Sequence, residues 1–249
     1  MIPSLGQNGL SRSLQTIFNR SLLPWMDVIA IFCLAVLPHI ARSLFMVLFP
    51  AAQATPSLNQ LLAILIVGSL QISVPILLIM HLRKVRWADH GFVSFSPDKD
   101  ILIAFGLTAA SYIAYYVAVA GLFFFEQNYT SDANPFRTMS TEGASPYVTL
   151  ILIFSASIAN GFTEELAMRA YLIPRLSKLT GSDAVAVILT SALFAIYHMY
   201  QGRYGIISAL LIGLIFGSYF VRTKRFWPIA LAHIFMDIIP LAMLAFPPE

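Results

Sequence analysis

Glu164 and Glu165 lie side by side in a stretch that otherwise reads as membrane-buried helix, and Arg169 follows Glu165 by four. A charged side chain at bilayer depth costs about 2.5–3.5 kcal/mol on insertion scales, so such a cluster is first read as a functional site. Two later apolar stretches each deliver a histidine, His198 and His233, and Asp237 follows His233 by four. Carboxylates act as bases and histidines relay protons near neutral pH. A carboxylate pair and two histidines gathered inside lipid point to hydrolysis.

Successive helical residues point about 100° apart, so the two glutamates cannot share a direction. Glu165 and Arg169 are i,i+4 neighbours and can form an ion pair. That leaves Glu164 in a different environment, free to serve as a general base. The same three charges would also suit a structural network that ties helices together. Phe194 and His198 share a helix face, although a histidine at a helix end also suits an interfacial hydrogen bond. His233 and Asp237 form a second i,i+4 polar pair, which could satisfy itself without any ligand.

The elements that must position these residues are membrane helices. Of 249 residues, 58% are hydrophobic and only 11% are charged, and the mean hydropathy is +0.78. A soluble fold of this composition would expose much of its apolar surface. Apolar spans run at about 26–50, 58–82, 101–125, 147–174, 184–200, 205–221 and 227–247. Each approaches the roughly 20 residues that cross a bilayer as helix. The fifth and sixth are short, and a partly re-entrant course for one of them is compatible with that length. The predicted class is an all-α polytopic bundle of about seven spans, forming one integral membrane domain over residues 1–249. Leu10, Leu14, Ile17, Phe18 and Leu22 recur at helical spacing ahead of the first span, as in an amphipathic helix on the membrane surface.

Basic residues orient the bundle. With the N-terminus inside, eleven (Arg12, Arg20, Arg83, Lys84, Arg86, Lys99, Arg175, Lys178, Arg222, Lys224, Arg225) fall on the cytoplasmic side and two (Arg137, Arg203) outside. The expected topology is N-inside, C-outside, most simply in a bacterial plasma membrane. Topology also accounts for the net charge of +3, so no nucleic-acid partner is implied. Cys33 is the only cysteine, which excludes an intrachain disulfide and cysteine-based metal binding; it reads as a small packing residue. Ala52-Gln53-Ala54 has the small-x-small look of a cleavage site. The apolar stretch before it is too long for a signal sequence and contains Arg42, so an uncleaved anchor is expected.

On a 1.5 Å rise per residue, Glu164, His233 and His198 lie about 15, 10 and 21 Å from the cytoplasmic ends of their spans. Their convergence within a core about 30 Å thick is allowed but not required.

Read as motifs, these residues are Glu164-Glu165-x-x-x-Arg169, Phe194-x-x-x-His198 and His233-x-x-x-Asp237. In this order they resemble the signatures of the CPBP family, which joins the type II CAAX prenyl proteases to bacteriocin-processing and self-immunity proteins. The resemblance covers about 147–240, two-fifths of the chain, and marks that stretch as the catalytic core. It implies an intramembrane glutamate endopeptidase that needs no metal or other cofactor, with lipid and a peptide or protein substrate as partners. By the same resemblance, Glu164 and His198 activate the attacking water and His233 and residue 237 stabilise the oxyanion, with Glu165 and Arg169 in support. Position 237 departs from the pattern, having Asp where the family has Asn. An ionised carboxylate cannot donate to an oxyanion, so Asp237 is expected instead to orient His233. Two other functions remain open. One is a zinc peptidase built from Glu164, His198, His233 and Asp237; the other is a silent scaffold or immunity protein that binds a partner through the same cavity.

Overall fold

The computed structural model describes residues 23–49, 57–125 and 145–246, and these residues form helices joined by loops. The surface helix expected ahead of the first span, from Leu10 to Leu22, and the Ala52–Ala54 segment lie outside the described residues. Helix α1 runs through Leu23–Ile31, a π-helical segment at Phe32–Val36, and Leu37–Leu48. It is followed by α2 (Leu58–Leu82) and α3 (Pro97–Phe125). Helix α4 comprises Pro146–Glu165, a π segment at Leu166–Leu172, and Ile173–Thr180. The chain then continues through α5 (Asp183–Tyr197), α6 (Gly202–Thr223) and α7 (Trp227–Ala245).

Among the described residues, six of these helices are long and apolar enough to cross a membrane. The exception is α5, with 15 residues; at about 22 Å it is shorter than the hydrocarbon core. The protein is therefore an integral membrane protein, a polytopic helical bundle. Helix α4 extends to Thr180, beyond the apolar stretch that marks it in the sequence. Its last two turns carry Arg175 and Lys178, and the apolar pattern fades there before the helix ends. Helix α6 is also longer than its apolar run, with 22 residues. Cys33 is exposed on the outward surface of α1 rather than packed inside.

Helix α4 is the central rod, with α2 and α7 packed along it, while α5 pairs with α6, and α3 braces α7 and α6. Between helices in lipid there is little hydrophobic driving force, so small residues that permit close approach decide which faces meet. Gly161 is one such residue. A Cβ there would lie 3.0 Å from the Ile234 nitrogen and 3.3 Å from the His233 carbonyl carbon. Gly213 plays the same part between α6 and α5, where a Cβ would lie 2.8 Å from Ser191 Cα. The close approach at Gly161 brings α7, and His233 with it, against the glutamates of α4.

The loop between α2 and α3 closes one end of the bundle. Its 3₁₀ turn, Trp87–His90, ends at Gly91 with φ 85°, and the Phe226 N–H donates to the Gly91 carbonyl. Phe92 stacks on Phe226 at 4.5 Å between centroids. His90 Nδ1 lies 2.6 Å from the Ala170 carbonyl, inside the π segment of α4. A carbonyl only accepts, so Nδ1–H is the donor. The loop thus satisfies part of the backbone where α4 departs from α-helical geometry.

Candidate active site

Helix α4 contributes Asn160, Glu164, Glu165 and Arg169. Glu165 and Arg169 are wholly buried and paired, with Arg169 Nη1 donating to Glu165 Oε1 at 2.8 Å. The Arg169 guanidinium also stands 4.7 Å from the centre of the Phe194 ring and 5.8 Å from that of Phe216. Arginine suits this double use, since its planar cation both donates hydrogen bonds and stacks on aromatic faces. The π segment begins immediately after Glu165, and every one of its residues is buried. π segments recur where a helix must redirect side chains at a functional site.

His233 of α7 lies between the two glutamates. Its Nδ1 is 2.7 Å from Glu165 Oε1, the oxygen that also receives Arg169. Nδ1–H is therefore the donor to an ionised carboxylate. The other nitrogen, Nε2, is 3.1 Å from Glu164 Oε2. That contact has the length of an ion pair but lacks the alignment of a full hydrogen bond. The Tyr197 hydroxyl is also directed at Glu164.

Asp237 lies one turn beyond His233, and its Oδ1 is 3.9 Å from His233 Nε2. This separation is too long for a hydrogen bond. Asp237, expected to orient His233, makes no hydrogen bond to it, because Glu165 holds Nδ1 and Nε2 turns toward Glu164. The carboxylate of Asp237 is instead engaged by α4, with Asn160 Nδ2 donating to Asp237 Oδ2 at 3.0 Å.

His198 caps the C-terminus of α5. Its Nδ1 is 2.8 Å from the Phe194 carbonyl, so Nδ1–H donates inward and the neutral ring presents Nε2 as acceptor. Phe194 lies amid the site residues, its ring centroid 4.5 Å from that of His198 and 5.9 Å from that of His233. Tyr197 stacks on His198 at 4.2 Å while its hydroxyl reaches Glu164. The seven residues marked in the sequence thus gather in one region; His198 joins through Phe194 and Tyr197 rather than through a printed polar contact of its own with the glutamates.

A cavity of about 590 Å³ opens onto this group. It is bordered by His39 and Arg42 of α1, Ser69 and Gln71 of α2, and Asn160 and Glu164 of α4. Its size is in the range of substrate pockets, and Glu164 gives it a carboxylate wall. Among the described residues, no group of three His, Cys, Asp or Glu side chains is arranged to hold a metal ion.

Several of these residues were not marked in the sequence reading. Asn160 precedes Glu164 by one α-helical step of four, so its place on the same face was legible from spacing alone. Tyr197, adjacent to His198, looks like an ordinary interfacial aromatic. His39 and Arg42 lie over a hundred residues from the motifs in sequence, and nothing in their surroundings connects them to Glu164.

Comparison with known families adds one finding. Residues 146–239 match the family described as Type II CAAX prenyl endopeptidase Rce1-like. The match supports the CPBP family. It covers α4 to α7, the helices that carry all three motifs, and it supports an enzyme of the protease class acting in a lipid environment on peptide or protein substrates. No curated protein and no solved structure matches the chain.

Proposed function

We propose that this CPBP-type bundle is an intramembrane endopeptidase in which Glu164 activates water without a metal ion. The observation that carries the reading is the position of Glu164. It borders the cavity while its Oε2 lies 3.1 Å from His233 Nε2, and Glu165 has already fixed the other nitrogen of that histidine. One carboxylate is thus spent on orientation and the other is left to react.

Water in the cavity gives a proton to Glu164 as its oxygen bonds to the carbonyl carbon of the substrate. The C=O electron pair moves onto the carbonyl oxygen. On collapse the C–N bond breaks, the proton passes to the departing amine, and a carboxylate and an amine leave. His198, with Nε2 free to accept, assists removal of the water proton. His233 shares the proton of Glu164 and stabilises developing negative charge. Such preorganised charge is worth most where water is scarce. Glu165 and Arg169 hold His233 and neutralise each other.

The substrate is a lipid-associated peptide whose reacting segment is extended, because helical backbone shields its own carbonyls. The description of the matched family makes a prenylated C-terminus the first substrate to try. The charge asymmetry favours the N-terminus on the cytoplasmic side, and a bacterial plasma membrane is the simplest location for the bundle.

The test is cleavage of quenched-fluorescent peptide libraries, prenylated and unprenylated, by the purified full chain and by Glu164→Ala, each with and without chelator. Activity lost in the variant but indifferent to chelator is the expected result. Chelator-sensitive cleavage would transfer the chemistry to a bound metal. Complete inactivity of the wild type on both libraries would favour a scaffold that binds a partner through the cavity, a reading for which Asp237 in place of Asn is the supporting observation.

A further inference from the structure

Hydrolysis at Glu164 requires a donor for the oxygen that becomes negative when water attacks. Asp237 cannot be that donor while ionised, since a carboxylate only accepts. Helix α4 brings an amide to the same place. Asn160 Nδ2 donates one N–H to Asp237 Oδ2 at 3.0 Å, and Asn160 borders the cavity together with Glu164. We infer that Asn160 is a catalytic residue, the side-chain amide that donates to the oxyanion, and that Asp237 holds this amide in position.

Three observations support the assignment. An Asn side chain has two N–H groups, and only one is engaged by Asp237. The second meets no acceptor among the described residues. Asn160 and Glu164 are i,i+4 neighbours on α4, about 6 Å apart along the axis. A substrate carbonyl seated between them would have its carbon near the water activated by Glu164 and its oxygen toward the amide. Finally, the contact between Asp237 and Asn160 fixes which end of the amide faces which way. The ionised carboxylate must face NH₂, so the amide does not have to be reoriented when charge develops. Preorganised donors of this kind supply their stabilisation without rearrangement.

The chain thus carries its amide on α4 and its carboxylate on α7. Interchanging the two should preserve the pair, since the donor and acceptor remain across the same helix contact. A merely structural role for Asn160 would leave kcat per folded molecule near wild type in Asn160→Asp too, so the interchange is read against that single variant.

The inference rests on the peptidase reading, and the experiment separates the two. Steady-state cleavage of the best library peptide is measured for the wild type, Asn160→Ala, Asn160→Asp and the double variant Asn160→Asp with Asp237→Asn. Removal of one oxyanion donor lowers kcat by about 10²–10³-fold. Asn160→Ala and Asn160→Asp should show that loss with KM changed by less than about threefold, in line with a donor used only in the transition state. The interchange should recover at least about tenfold over Asn160→Asp. A kcat for Asn160→Ala within about threefold of wild type would overturn the assignment while leaving the peptidase intact. Equal losses in KM and kcat without recovery in the interchange would also overturn it, making Asn160 a packing residue. If Asn160→Ala does not fold, Asn160→Asp and the interchange decide together, since both keep polar groups at the contact and only the interchange keeps an amide there; a kcat for Asn160→Asp within about threefold of wild type would then overturn the assignment. A wild type that cleaves no peptide would remove the peptidase reading, and this assignment with it.

Discussion

Two buried carboxylates in this protein are each paired with an arginine, and they are finished differently. Asp100 at the start of α3 is wholly buried and accepts from Arg225 Nε at 3.0 Å and Nη2 at 2.7 Å on Oδ1, with Oδ2 receiving Nη2 at 2.9 Å and the Ser96 N–H at 2.8 Å. Both of its oxygens are used. The pair at Glu165 and Arg169 is also wholly buried, but Glu165 Oε2 and Arg169 Nη2 have no hydrogen-bond partner, and the used oxygen, Oε1, is shared between arginine and His233. A carboxylate that serves only to join elements is saturated by its partners. Glu165, which in the proposed mechanism orients His233, is held on one side and keeps spare capacity on the other. The first arrangement joins the start of α3 to the connection between α6 and α7; the second aims an imidazole at Glu164.

The largest effect expected from this contrast is at Glu164. Glu164→Gln should lower cleavage by about 10²–10⁴-fold, the range of a lost general base, with little change in thermal unfolding. A large fall in stability instead would reclassify Glu164 with Asp100, as a joining charge. Next comes the pair beneath it. Arg169→Met leaves Glu165 without a counter-charge in a fully buried setting, a loss of about 3–5 kcal/mol, and cleavage should fall as His233 loses its fixed acceptor. Arg225→Met should be milder, about 1–3 kcal/mol, because the Arg225 side chain is 30% exposed and the Ser96 N–H still serves Asp100. Its cleavage per folded molecule should equal wild type. Denaturant unfolding and active-site-normalised rates on the same preparations separate the two arginines.

A smaller change tests the helix contact that brings His233 to Glu164. Gly161→Ala places a Cβ 3.0 Å from the backbone of Ile234, and overpacking of this kind typically removes about 1–3 kcal/mol. Activity should drop more than stability accounts for, since α7 is pushed away from the glutamates. The smallest expected effect concerns His90, in the loop at the end of the bundle. Burial holds its imidazole below the ordinary value of 6.5, so the folded protein keeps it neutral while an unfolded chain takes up a proton. Stability should therefore decline as pH falls through 6.5. His90→Gln should flatten that part of the thermal-unfolding profile between pH 7.5 and 5.5 relative to wild type.

Much of the fold was legible without coordinates because lipid imposes a harsh rule: a spanning segment must be apolar and must satisfy its own backbone. Apolar runs therefore mark the helices directly, and a charge within them stands out. The same rule explains the errors. Helix α4 extends past its apolar run because Arg175 and Lys178 lie where the bilayer no longer constrains composition. The ion pair of Glu165 with Arg169 followed from helical spacing, a local property that the chain cannot evade. The polar cluster was also legible, since glutamate and histidine have few inexpensive uses at membrane depth.

What only the tertiary structure decided is which groups face one another across helices. That Glu165 rather than Asp237 holds His233, that Asp237 is bound by Asn160, and that α1 and α2 wall the cavity all depend on how rods separated by many residues are rotated and brought together. Those rotations are set by close contacts such as Gly161 against Ile234, where the absence of a single side chain determines the approach. Local periodicity records the direction of each side chain on its own helix. It does not record the partner, because contacts between helices in lipid arise from shape and from a few polar pairs rather than from a pattern repeated along the chain.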